Sequence, residues 1–460
     1  MATDLKRIET IIITMMENRS FDHLLGYLSF LGGRRDVEGL KDQAWQQTQA
    51  NPGTAAPVAP FALTRFDIPD PPHERDTIAI QIGALDTPAC MRGFVQSYAR
   101  RQPPPDDESL VMGYYRAQDV PMVDFFAREF AVCDHWFSAL PTGTQPNRLM
   151  AMSGIAARDR NAPFLLTDQE LVYDWLNQHG VSWRVYHQGP LPFFALMKKW
   201  QLPILHDLAI ETLGLHTNFR RYEHFERDYH WDPTFPQVVF IEPEYTDGPH
   251  FAPNDDHPPT PIGPGQAFLH SIYRSLIRNP ERWWKTVLLV TYDEHGGFFD
   301  HVPPERLQTD SPTGSYPSFE TTGVRVPGFV VSPFVEQGAV FSQSVDHTAI
   351  LELLADCFTP GQVYSDAVAR RSPPIARLAR ALTRADPRQD FPAAPVVSGA
   401  VAPAAVRAAT AHVTTADLAP EAAANAEAFR EAARTMVRDH PLVVGQVLPE
   451  LLAFVGPQAP

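Results

Sequence analysis

Residues 8–23 read IETIIITMMENRSFDH. The first half, residues 8–15, is a short apolar run rich in Ile and Thr, which predicts a buried central strand rather than a helix. It ends in Glu17-Asn18-Arg19-Ser20-Phe21-Asp22-His23. Open α/β sheets place their ligands at such a polar cluster, at the carboxyl end of a buried strand. Outward from this stretch, short apolar runs predict strands at 130–137, 182–187, 237–242, 286–292 and 325–332. Between them, patterning predicts helices at 81–100, 121–130, 149–156, 266–277 and 348–358. Strands alternating with helices give an α/β fold with a central, mostly parallel sheet. From residue 32 to 72 the pattern dissolves into Gln, Pro, Asp and Ala, which reads as a long loop.

The chain has 460 residues, more than one hydrophobic core usually serves. A catalytic domain is expected over 1–380, an Ala/Pro-rich linker over 381–410, and a small helical appendage over 411–460. Packing back on the main domain is the favoured role of that appendage. Charged residues make up 20% and hydrophobic residues 44%, a globular composition. The formal net charge of -16 argues against nucleic acid as a partner, because phosphate backbones call for Lys and Arg. Three cysteines are too few for a disulfide framework or a thiolate zinc site. No run approaches the ~20 apolar residues of a membrane span, and no signal-peptide pattern opens the sequence. A cytoplasmic location is the default expectation, with signal-independent export as the alternative.

Several constellations could carry chemistry. Glu17-Asn18 ends one predicted strand and Asp293-Glu294 ends another, in VLLVTYDEHGG. Oxygen donors of this kind suit a hard divalent cation if the strands are neighbours; otherwise Glu17 and Asn18 merely cap the helix beginning near Ser20. Gly296 and Gly297 permit close approach to a ligand. Thr144, in Pro141-Thr142-Gly143-Thr144-Gln145-Pro146-Asn147-Arg148, is a candidate nucleophile ahead of a helix, or a cap on an ordinary turn. His73 and His257 lie in Pro-rich polar loops. Asp346-His347-Thr348 reads first as a helix cap and second as pocket lining. No G-x-S-x-G elbow, Walker A loop, H-E-x-x-H or C-x-x-C occurs.

Glu17 to His23, Thr144 to Arg148 and Asp293 to Gly297 resemble the three signature blocks of the phosphoesterase family. That family includes bacterial phosphatidylcholine-type phospholipases C, plant non-specific phospholipases C and an acid phosphatase branch. Weaker blocks also match, among them Asp70-Pro71-Pro72-His73-Glu74 and Asn254-Asp255-Asp256-His257-Pro258, and the resemblance runs in order over about residues 8–360. It implies an alkaline-phosphatase-like α/β sandwich and one divalent metal ion: Ca, Mg or Mn, with Zn or Fe as alternatives. By motif, Glu17, Asn18, Asp293 and Glu294 would hold the ion, with Thr144 as nucleophile and fifth ligand. Thr142 is a rival that fits the motif worse. His73 and His257 would line the phosphate pocket, with His257 the preferred general acid for the leaving alcohol and His73 a phosphate donor or the second acid–base group. Asn18, His187 and His295 are further substrate-binding candidates.

The implied reaction is a phospholipase C-like cleavage of a glycerophospholipid to diacylglycerol and a phosphorylated head group, through a phospho-Thr intermediate. An acid phosphatase acting at the same site is the alternative; a non-catalytic phosphate or lipid binder ranks third. The expected partners are a phospholipid or other phosphate ester and, transiently, a membrane surface. Phe193, Phe194, Trp200 and Tyr222 are read as core first and as a choline-binding cage second.

Overall fold

The computed structural model describes residues 3–215, 217–248, 253–397 and 417–455. Its centre is a seven-stranded sheet of β1 (Thr10–Met16), β2 (Ala131–Val132), β3 (Trp183–His187), β4 (Phe219–Arg221), β5 (Val238–Glu242), β6 (Thr286–Tyr292) and β7 (Gly328–Val331). The order across the sheet is β2-β7-β6-β1-β5-β3-β4. β6, β1, β5, β3 and β4 run parallel, and β7 is antiparallel to both neighbours. All seven residues of β1 are buried. Side chains of a strand alternate between faces, so helices must cover the sheet on both sides. The short, β-branched run at 8–15 therefore became the middle strand.

Flanking helices include α1 (Arg75–Ile82), α2 (Pro121–Glu129), α3 (Thr144–Ser153), α4 (Gly263–Ile277) and α5 (Thr348–Phe358). α6 (Pro420–Asp439), α7 (Pro441–Val447) and α8 (Pro449–Val455) follow near the C-terminus. Residues 382–397 form no helix or strand, and residues 398–410 of the expected linker lie outside the described residues. Phe429, Ala432, Ala433 and Met436 of α6 are buried in the same hydrophobic core as the sheet.

Several boundaries differ from the sequence reading. The helix expected over 81–100 is two helices, α1 and Phe94–Tyr98. Gly83 stops the first in a left-handed conformation, φ 64°. The strand expected over 130–137 is two two-residue pieces, and only the first joins the main sheet. The helix expected from 149 begins at Thr144. Pro146 falls in its first turn, where the missing N–H breaks no helical bond, and Gly154 at φ 76° closes the other end. That earlier start makes Thr144 the first residue of a helix.

Candidate active site

The sheet register builds the acidic half of the site. Met16 of β1 lies opposite Tyr292 of β6, so Glu17 and Asp293 leave adjacent parallel strands side by side. The Asn18 backbone N–H donates to Asp293 Oδ1 at 3.2 Å. Asn18 itself turns at φ 60°, a left-handed conformation that Asn tolerates better than most residues. Gly296 packs against this turn so closely that a Cβ would sit 2.2 Å from the Asn18 carbonyl oxygen. A Cβ on Gly297 would meet the Pro72 carbonyl oxygen at 2.7 Å. The Gly-Gly pair thus lets the loop carrying His73 close over Asn18 and Glu294. His73 Nδ1 donates to the Pro71 carbonyl at 2.7 Å, leaving Nε2 3.3 Å from Asn18 Nδ2 and 3.9 Å from Glu294 Oε1.

The other half comes from the start of α3. Asn147 pins the preceding loop: its Oδ1 accepts from the Leu140 N–H at 2.9 Å and its Nδ2 donates to the Thr142 carbonyl at 2.8 Å. The Thr142 hydroxyl is engaged by Glu74 Oε1 at 2.5 Å and the Asp159 carbonyl at 2.6 Å. The Thr144 hydroxyl has no hydrogen-bond partner among the described residues. Arg148 stands one turn on, at i+4, and so on the same helix face as Thr144. Its guanidinium donates to Glu17 Oε1 at 2.9 Å and lies 3.6 Å from Asp293 Oδ2. The face of α3 that bears Thr144 is thereby turned toward the two strand-end acids. Arg148 also lies over Phe193 and Tyr245, 5.0 and 4.9 Å from their ring centroids.

Charge at the site is unbalanced. Burial, with Asp293 as a neighbour, raises the Glu17 pKa well above the ordinary carboxylate range despite Arg148. Burial also raises Asp293, and raises Glu294 to about 8. Burial pulls His73 down, but Glu294, Asp70 and Glu421 outweigh it and lift His73 to about 10. His257 is pushed well below its usual value by burial and then by the charge on His73. Its Nδ1 donates to the Pro258 carbonyl at 2.5 Å, and its Nε2 has no partner among the described residues. The two imidazole rings sit edge to face, 5.8 Å apart.

Among the buried oxygens with no hydrogen-bond partner in the described residues are Glu17 Oε2, Asn18 Oδ1, Asp293 Oδ2 and Glu294 Oε1. An unpaired buried oxygen costs free energy. Hard oxygen donors left open beside surplus negative charge fit a divalent cation. The tightest sets of ligand atoms, all within 4.8 Å of one another, are Asp70/His73/His257 and Asp22/Asp300/His301. The Glu17, Asp293 and Glu294 carboxylates are set more loosely, with Arg148 between two of them.

Two predicted substrate-binding residues stand apart. His187 ends β3, with its Nδ1 on the Gly189 carbonyl at 2.6 Å. No described hydrogen bond or ion pair ties it to the acids; β5 stands between β3 and β1. His295 turns its Nε2 to Gln81 Oε1 at 2.7 Å and so backs Glu294 from behind. Of the aromatic residues, Phe193, Phe194 and Trp200 are core, and Tyr222 bonds Ser271. His347 donates Nε2–H to the Asp293 carbonyl at 2.6 Å, while Asp346 caps α5 through the Thr348 N–H at 2.8 Å.

The sequence reading gave no role to Arg148, Asp247, Glu421 or Asn425. Arg148 had a usable signal in its i+4 spacing from Thr144. The last two had none, since they approach the site from the C-terminal helix.

The Phosphoesterase family model matches residues 8–359. Non-specific phospholipase C1 of Arabidopsis thaliana is 32% identical over 352 residues, 73% of this chain and 62% of that protein. Phospholipase C A of Mycobacterium tuberculosis (strain ATCC 25618 / H37Rv) is 31% identical over 400 residues, 75% of this chain and 72% of that protein. The chain thus spans a little over three fifths of the Arabidopsis protein's length. Overlap with solved structures is loose: a sulfatase from Pseudoalteromonas sp. aligns over 83% of this chain and 74% of that one, at 10% identity and a TM-score of 0.36. With three signature blocks brought to one strand-end cluster and a family model matched over most of its length, the chain belongs to the Phosphoesterase family.

Proposed function

We propose that the chain hydrolyses phosphodiesters in the manner of a phospholipase C, with Thr144 as nucleophile. The observation that carries this reading is the set of buried oxygens of Glu17, Asn18, Asp293 and Glu294 that lack a hydrogen-bond partner, with Arg148 of α3 holding Glu17 and Asp293. Glu17, Asn18, Asp293 and Glu294 would hold one divalent cation. Bound there, it would supply charge stabilisation for the phosphoryl oxygens and lower the pKa of the threonine hydroxyl. The family relatives named phospholipase C support the substrate class.

The residues divide the work as follows. Arg148 fixes the start of α3 against Glu17 and Asp293, which sets the approach of Thr144. The hydroxyl gives up its proton to His257 Nε2 and attacks phosphorus in line, the P–O bond to the leaving alcohol breaks as that oxygen takes the proton, and water then cleaves the phospho-Thr ester, returning the threonine hydroxyl. His73, hydrogen-bonded through Nδ1 to the Pro71 carbonyl, turns its Nε2 toward Asn18 and Glu294 and serves as a phosphate-binding or second acid–base group. His257, neutral with its Nε2 lone pair free, accepts a hydrogen bond or the proton of the attacking water. His295 and His347 position Glu294 and Asp293 rather than touch substrate.

Thr144→Ala should lower turnover of p-nitrophenylphosphorylcholine by roughly 10^3-fold or more while leaving the circular dichroism spectrum unchanged. Unchanged hydrolysis would reject Thr144 as nucleophile. Strong preference of the wild type for p-nitrophenyl phosphate would instead favour the acid phosphatase reading.

A further inference from the structure

Among the described residues the site is covered. Glu17, Asn18, His73, Thr144, His257, Asp293 and Glu294 are each at most 1% exposed, too little for a phosphate ester carrying a lipid tail to reach them in this conformation. Part of the seal is the first two turns of α6. The Ala419 N–H donates to Asp70 Oδ2 at 2.7 Å, and Glu421 accepts from the His73 backbone N–H. Asn161 Nδ2 donates to the Glu421 carbonyl at 3.2 Å. Asn425 accepts from Gln145 Nε2 at 2.8 Å and donates to Asp247 Oδ2. Every one of these contacts ends on the active-site loops or on the first turns of α3.

The two halves of α6 are fastened differently. From Ala428 onward the helix is embedded in the main core, with the Phe429 ring 6.0 Å from Phe193 and 5.9 Å from Tyr245. Leu418, Ala422 and Ala426 form a separate small cluster with Ala423. Alanine side chains remove little apolar area from water. The first half therefore rests on the polar clasp of Glu421 and Asn425. A segment held by few apolar contacts opens at lower free-energy cost than one embedded in the core.

We propose that residues 418–426 are a lid on the active site, hinged where α6 enters the core, which must lift before substrate can bind. The inference rests on the phosphoesterase reading of the site beneath it. In the closed state Glu421 and Asn425 occupy the rim over His73 and Asp247, and the observed kcat/KM is scaled down by the fraction of molecules that are open.

The test uses the full chain and Asn425→Ala, which removes the Asn425 half of the clasp while keeping a good helix former. The expected result is a rise of roughly 5- to 30-fold in kcat/KM for p-nitrophenylphosphorylcholine. In the wild type, amide hydrogens of residues 422–426 should exchange at least about tenfold faster than those of residues 429–437, and the substitution should speed them further. Equal, slow exchange in the two halves would overturn the lid. So would a fall in kcat/KM in a folded Asn425→Ala protein, which would make the first half of α6 a fixed wall that catalysis needs. A wild type and variant both inert on phosphate esters would sink the phosphoesterase reading, and the exchange pattern would then decide the lid by itself.

Discussion

The segments ENRSFDH at 17–23 and DEHGGFFDH at 293–301 each contribute to two buried polar clusters, and the clusters differ in kind. At their first residues, Glu17, Asn18, Asp293 and Glu294 each leave an oxygen unpaired. A few residues on, Asp22, Asp300 and His301 gather as closely as metal ligands would, yet all their acceptors are taken. Arg325 donates to Asp22 Oδ1 at 3.2 Å and to Asp300 Oδ1 at 2.9 Å. His301 Nδ1 meets Asp22 Oδ2 at 2.6 Å, and the Asp22 N–H donates to Asp300 Oδ2 at 3.1 Å. The rest of the guanidinium donates to the Glu38 and Asp134 carbonyls at 2.8 and 2.7 Å. Ligand-atom spacing alone would rank this second cluster as the better metal site. Hydrogen-bond accounting reverses the order: the closed cluster is structural, and the open one is where chemistry has room.

That contrast can be broken by experiment. Arg325→Met should strand Asp22 and Asp300 as uncompensated buried acids and cost about 3–5 kcal/mol, read as a large drop in denaturation midpoint. A loss under 1 kcal/mol would mean that the cluster is not the self-neutralised unit described here. A smaller effect concerns His301. Burial lowers its pKa, but Asp22 and Glu38 more than offset this and raise it to about 9. A raised folded-state pKa gives stability that is fully present below the unfolded value of about 6.5 and disappears as pH rises through 9. The wild type should lose about 3 kcal/mol across that window, and His301→Gln should flatten the profile. A wild-type stability curve that is level from pH 6 to 10 would contradict the charged pairing.

The smallest effect has the opposite sign. Metal-free protein carrying Glu294→Gln should be more stable than metal-free wild type by on the order of 1 kcal/mol, because a buried carboxylate without a full set of partners is costly. Chemical denaturation in the presence of a chelator would show it. Destabilisation would say that the Glu294 carboxylate is already well held by the chain itself.

Much of this was legible in the sequence because it was local. Residues 286–292 and 348–358 carry their periodicity on their face, and each is one element with those bounds. Glu17 and Asp293 could be placed at strand ends, since polar residues after an apolar run mark where a strand stops. The part that was not legible depended on packing. The region 81–100 looked like one helix, yet a Cβ on Gly93 would lie 1.8 Å from the Ile80 carbonyl oxygen, so the chain folds back there. His187 and His295 carried the right side chain, but β-strand order and Gln81 decided where each one points. Glu421 and Asn425 lie more than a hundred residues from every signature block, in an Ala-rich segment whose composition says only helix. Their reach into the site exists solely in three dimensions.

The most direct measurement is elemental analysis of purified protein for divalent metal, done on the wild type, Asp293→Asn and Asp300→Asn. The account predicts about one ion per folded chain in the wild type and in Asp300→Asn, and a strong loss in Asp293→Asn. Metal retained in Asp293→Asn but lost in Asp300→Asn, or no ion in any of the three after growth and purification with metal supplied, would contradict it.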